Sequence, residues 1–165
     1  MDYYRLLIES YQEQTKDGSY PSILINSIDL KRLLDLVGSN RLPELTEYLL
    51  REIDRLARAG ADFGLMASNT PHVVFEELSQ ESPIPLLSIV EAACEAAQVL
   101  DLRTVGILGT RFTMAGRFYP EVFARRGITV LTPRSDDQEY VHDKYMRELI
   151  PGDSACDAGS IRCNY

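Results

Sequence analysis

Residues 64 to 78 read GLMASNTPHVVFEEL, and the pattern changes character partway along. The opening residues form an apolar run of strand length. Ser68, Asn69 and Thr70 then interrupt it, Pro71 follows, and the remainder is spaced as a helix. Such a handover marks a strand-to-helix junction. Ser, Asn and Thr all favour the N-cap position, and Pro suits the first helical turn. The stretch therefore predicts a strand over 62 to 67 and a helix from about 71 to 78, with a polar junction between them.

The same alternation runs through the chain. Apolar residues at 3, 4, 7, 8 and 11 predict a first helix over 3 to 15, and KDGSYPS at 16 to 22 is turn chemistry. ILINSI at 23 to 28 reads as a buried strand, and Asp29 as the cap of a helix that Gly38 ends. A longer amphipathic helix is expected over 43 to 59, with Pro43 in its first turn and Gly60 closing it. Further strands are expected at 84 to 89, 104 to 110 and 128 to 133. The helices expected among them are the alanine-rich 90 to 100, a single helix over 112 to 127, and 136 to 150. Strands alternating with helices predict an α/β protein with parallel sheets built from right-handed βαβ units. The last 13 residues, DSACDAGSIRCNY, carry no period and are expected to be a disordered or adventitious tail.

Composition narrows the function classes. The 165 residues are 45% hydrophobic and 25% charged, with a formal charge of −8. Nucleic acids and anionic membranes require a basic footprint, so neither is an expected partner. No run reaches the roughly 18 apolar residues of a membrane helix, and MDYYRLLIESYQEQ lacks the features of a signal peptide, so the expected location is cytoplasmic. Cys94, Cys156 and Cys163 are an odd set, which argues against a disulfide scaffold. No CxxC, HExxH or P-loop occurs, and there are two histidines, so no metal is expected.

In parallel α/β sheets, ligands bind where the carboxyl ends of strands meet helix N-termini. Two such ends are rich in donors: Ser68, Asn69, Thr70 and Pro71, and then Gly109, Thr110, Arg111 and Thr113. Each reads either as a well-capped helix start or as a loop that holds a small anion. Cys94, in the middle of EAACEAAQ, reads as a packing residue. His72 reads as a pocket wall or a turn cap, and His142 as structural or exposed. Lys144 and Arg111 read as surface charges or as partners of a substrate carboxylate.

Together, MASNTPH at 66 to 72, GILGTRFTMAGRFY at 106 to 119 and HDKYMRELIPG at 142 to 152 resemble the aspartate/glutamate racemase family, its aspartate racemase branch in particular. The first matches the family's Cys-Asn-Thr-x-His motif and the second its Leu-Gly-Thr-x-x-Thr loop. The resemblance implies a Rossmann-like or flavodoxin-like, pseudo-symmetric two-domain racemase fold. It implies a cofactor-independent reaction, without pyridoxal phosphate or metal, in which two cysteines flank the substrate Cα and move a proton between its faces. Carried over by position, Asn69, Thr70, Thr110 and Thr113 bind substrate carboxylate, with Arg111 beside them, and Ser68 stands at the first catalytic cysteine. The implied partner is an acidic amino acid, and the implied assembly a homodimer.

Three departures shape the expectation. Ser68 replaces a thiol, and a hydroxyl is a far weaker acid than Cys with its pKa of about 8.5. The family's opening strand is expected before the DYYRLL that begins at Asp2, and its later strand, which carries the second cysteine, after Gly152. None of the three cysteines fills a catalytic place. The expected organisation is thus an incomplete fold: an N-terminal domain over 1 to 102 without its first strand, a partial second domain over 103 to 152, and the tail over 153 to 165. Three outcomes stay open. The chain racemises aspartate or glutamate, or it is an inert homologue that binds a small dicarboxylate, or it is a decarboxylase or cis–trans isomerase relative.

Overall fold

The computed structural model describes residues 2–149. The tail predicted over 153 to 165 lies outside the described residues, as do Cys156 and Cys163. The chain divides into two compact units, Met1–Ile89 and the residues from Val90 onward. The sequence-based boundary fell 13 residues later, after the alanine-rich helix; in the structure that helix clusters with the second unit.

The first unit begins with α1 (Asp2–Thr15), α2 (Leu30–Gly38) and α3 (Leu42–Arg58). Asp29 caps α2 as expected, its carboxylate accepting the Arg32 N–H at 3.1 Å. Asn40, just past the helix, takes the left-handed conformation at φ 53°, which its short polar side chain tolerates. In α3, Leu45, Tyr48, Leu49 and Ile53 recur at helical spacing and are buried, Leu45 completely. They pack with Leu33, Leu36 and Val37 of α2 to form the unit's core. Gly60 then turns the chain at φ 97°.

Two βαβ pieces follow, one in each unit. In the first, β1 (Gly64–Leu65) pairs in parallel with β2 (Leu86–Leu87), Gly64 opposite Leu86. Between them lie a 3₁₀ turn (Thr70–Val74) and α4 (Phe75–Glu81), whose Leu78 is fully buried. Next comes α5 (Ile89–Val99), which lies in the second unit from Val90 onward and buries Val90, Cys94 and Ala97. Its β3 (Thr104–Gly106) pairs in parallel with β4 (Thr129–Leu131), Val105 opposite Val130. Across this connection run α6 (Arg111–Ala115) and α7 (Phe118–Ala124), and the described chain ends with α8 (Ser135–Lys144) and a π-helical turn (Tyr145–Leu149). Parallel strands joined through helices make this an α/β protein, as the alternation predicted.

Three expectations need correction. No ladder forms at 23 to 28, where Leu24 and Ile25 are exposed. A strand requires a neighbour for its N–H and C=O groups, and among the described residues none runs beside this one. The paired strands span two or three residues rather than six or seven, and among the described residues each has one neighbour. The helix predicted over 112 to 127 is two helices. Gly116 breaks it at φ −71°, ψ 150°, and a Cβ there would lie 2.6 Å from the Phe112 carbonyl oxygen and 2.5 Å from the Phe118 ring.

Among the described residues, no helix is long and apolar enough to cross a membrane.

Candidate functional site

Each unit presents one polar loop at the carboxyl end of a parallel strand. In the first unit the chain leaves β1 at Leu65 and enters the 3₁₀ turn at Thr70. Pro71 fits this entry because its missing N–H would have no helical acceptor there. The His72 N–H closes the turn on the Asn69 carbonyl at 2.9 Å. Asn69, the residue of the polar triplet that precedes the turn, does not cap it through its side chain: its backbone is already helical and its side chain makes no capping hydrogen bond. The turn is too tight and too short to offer the α-helical N–H fan that such a cap serves.

His72 holds this loop from beneath. It is buried, stacked on the Phe75 ring at 5.2 Å, and its Nδ1 lies 2.9 Å from the Ser68 carbonyl oxygen. A carbonyl only accepts, which assigns the proton to Nδ1. Burial lowers the His72 pKa, opposed by hydrogen bonds at the Ser68 and Asn69 backbone, so the ring is neutral near pH 7. Thr70 is also buried, Asn69 is half-buried, and Ser68 is exposed. His72 thus binds the backbone of residue 68 through Nδ1–H, which leaves Nε2, a buried atom, as the basic nitrogen of the ring. Among the described residues no side chain hydrogen-bonds the Ser68 hydroxyl.

The second loop is built differently. Thr110 caps α6, as the capping reading predicted: its Oγ1 accepts the Thr113 N–H at 3.3 Å. Its carbonyl accepts the N–H groups of Thr113 and Met114 at 2.9 and 3.0 Å. The Thr110 and Thr113 hydroxyls lie 3.2 Å apart, and both residues are buried. Each hydroxyl carries one hydrogen and two lone pairs, so the pair can bond internally and still address a third oxygen. Gly109 passes over Thr113, where a Cβ would stand 3.4 Å from the threonine side chain.

Arg111 is exposed, with its guanidinium 5.1 Å above the Phe112 ring, and it pairs with no carboxylate among the described residues. Its backbone N–H points to Nδ1 of His142 on α8, at 3.3 Å. The His142 ring meets Phe112 edge-on at 6.1 Å. Burial lowers the His142 pKa, as does the Arg111 charge, against the opposing pull of Asp143. Sequence reasoning treated His142 as structural or exposed; the structure makes it half-buried and a partner of the predicted loop. The signal available was the HDKY run itself, which carries no spacing that points 31 residues back.

The predicted residues therefore gather as two sets: Ser68, Asn69 and Thr70 in one unit, and Thr110, Arg111 and Thr113 in the other. Lys144, the other cation considered for a carboxylate, pairs with Glu148 at 2.5 Å. A depression of about 360 Å³ opens elsewhere in the first unit, lined by Asp29, Lys31, Arg32 and Arg41 among others. Its charges are largely self-paired, Lys31 with Asp35 and Arg41 with Glu44. Among the described residues, no three His, Cys, Asp or Glu side chains gather in a way that would hold a metal ion.

Comparison with known proteins gives this geometry a context. The family model described as Asp/Glu/hydantoin racemase matches residues 1–154. The broad specificity amino-acid racemase RacX of Bacillus subtilis (strain 168) is 25% identical over 136 residues, covering 82% of this chain and 54% of that protein. The crystal structure of a proposed Asp/Glu racemase from Yersinia pestis aligns with TM-score 0.80 and 28% identity, over 92% of this chain and 66% of that one. An aspartate racemase homologue from Pyrococcus horikoshii OT3 aligns with TM-score 0.74 and 31% identity, over 91% and 66%. The chain thus spans about half the length of the curated relative and two thirds of the solved ones.

Proposed function

The chain belongs to the Asp/Glu/hydantoin racemase family, and on that premise we propose that it acts as an amino-acid racemase on aspartate or glutamate, removing and returning the proton at Cα without a cofactor. One observation carries the reading. Both strand-end loops present the donors a carboxylate needs, Asn69 and Thr70 in one unit and Thr110 and Thr113 in the other, each at the carboxyl end of a parallel strand. In this reading the amide and hydroxyls are the carboxylate donors of their own loops. The Arg111 guanidinium, which pairs with no carboxylate among the described residues, is the cationic partner for an acidic side chain, an interaction roughly twice as strong as a neutral hydrogen bond.

Ser68 then occupies the position of the base that faces Cα. Its chemistry sets the rate. A thiol reaches its anion near neutral pH, whereas a hydroxyl needs a neighbouring base, and among the described residues no side chain hydrogen-bonds the Ser68 hydroxyl. Proton removal on this face is therefore expected to be slow.

Incubating the protein with L-aspartate or L-glutamate in D₂O, with ¹H NMR of the Cα proton, tests the proposal. Slow, protein-dependent loss of that signal supports it. The absence of both saturable binding and exchange, in protein shown to be folded, overturns it. A second reading, favoured because no side chain among the described residues hydrogen-bonds the Ser68 hydroxyl, is a dicarboxylate binder without turnover; saturable binding with no exchange would select it.

A further inference from the structure

The second loop is held from outside its own helix. Within the turn, Thr110 and Thr113 bond to one another through their hydroxyls and backbone. The Arg111 N–H instead reaches His142 on α8, and Phe112 packs edge-on against the same ring. We propose that His142 is the positioning residue of the Thr110, Arg111 and Thr113 loop, fixing it through a neutral imidazole that accepts the Arg111 N–H and backs the Phe112 ring.

Acceptance by Nδ1 requires the neutral ring with its proton on Nε2. Protonation puts a hydrogen on Nδ1, turns the acceptor into a donor, and sets two N–H groups against each other. The charges around the ring favour the neutral form. Arg111 faces it from α6 and opposes a second positive charge. Asp143, its neighbour on α8, pulls the other way, but its carboxylate is shared with Arg147 of the π-helical turn at 3.3 Å. Lys144, also on α8, is occupied by Glu148. Together with burial, this keeps the ring uncharged at neutral pH and makes the hold acid-labile. The consequence for ligand binding rests on the proposed carboxylate role of this loop; the latch itself does not.

Two measurements on the full chain separate them. The first follows the backbone amide of Arg111 by ¹H–¹⁵N NMR from pH 8 to 5 without ligand. Its shift is expected to move with the same midpoint as the His142 ring, below about 6.5, and to stop titrating in His142→Asn, which keeps an acceptor near the Nδ1 position without the proton equilibrium. The second is the L-aspartate dissociation constant over the same range, in which the aspartate charge is constant. The wild type is expected to weaken at least tenfold on acidification. His142→Asn should remain flat and within about threefold of wild type at pH 8, and His142→Leu should be weak throughout. An Arg111 amide indifferent to His142 titration overturns the proposal, and so does a His142→Asn variant that keeps the wild-type pH curve. A coupled amide in a protein that binds neither aspartate nor glutamate supports the latch and overturns the carboxylate reading instead.

Discussion

At the scale of single residues, the first loop rests on a buried neutral imidazole, and that has a consequence for stability. The His72 pKa is lowered in the folded chain, chiefly by burial, while in the unfolded chain it sits near 6.5. Below about pH 6.5 the unfolded state therefore takes up a proton that the folded state refuses, and stability falls until the pH reaches the lowered folded value. His142 acts in the same direction, more weakly because it is less buried. Thermal unfolding at pH 5 and 7.5 is expected to show a larger acid loss in the wild type than in His72→Gln, which should start about 1 kcal/mol less stable for want of its hydrogen bond to Ser68. Equal acid losses would contradict this assignment. The identity of the loop residues was legible in the sequence, since the polar triplet and the Gly-Thr turn are local features. The grip of His72 on the Ser68 carbonyl and of His142 on Arg111 was not. Both depend on how a ring is oriented once its surroundings are packed, and the second joins residues 31 positions apart.

Among the elements, helices were read more accurately than strands, for a physical reason. A helix satisfies its hydrogen bonds locally, so the apolar stripe of α3 and the Asp29 cap of α2 declare themselves in sequence. A strand exists only where a neighbour runs beside it. ILINSI has the composition of one and forms no ladder, whereas the run around Gly64 and Leu65 meets Leu86 and Leu87. The capping reading divided in the same way: Thr110 caps α6, and Asn69 does not cap its 3₁₀ turn. The break between α6 and α7 was also missed, because Gly116 acts through space rather than through an unusual φ. Its added Cβ would collide with the Phe112 carbonyl and the Phe118 ring. Gly116→Ala is accordingly expected to cost about 1–3 kcal/mol in denaturant unfolding. A variant as stable as wild type would show that α6 and α7 can shift apart at little cost.

For the molecule as a whole, the fold and the family agree: parallel strand–helix pieces in each unit, and a racemase family model that matches nearly the whole chain. The proposed activity makes residue 68 the point at which binding becomes chemistry. Asn69, Thr70, Thr110 and Thr113 supply polarity that a serine at 68 does not disturb, so affinity and turnover should respond to substitution separately. The direct test is deuterium incorporation at Cα of L-aspartate in D₂O, measured in parallel for the wild type and for Ser68→Cys at matched saturation. The expected result is similar affinity in the two proteins and at least tenfold faster exchange in Ser68→Cys, about 1.4 kcal/mol of barrier. Equal exchange rates in two folded proteins that bind aspartate would contradict the role assigned to residue 68.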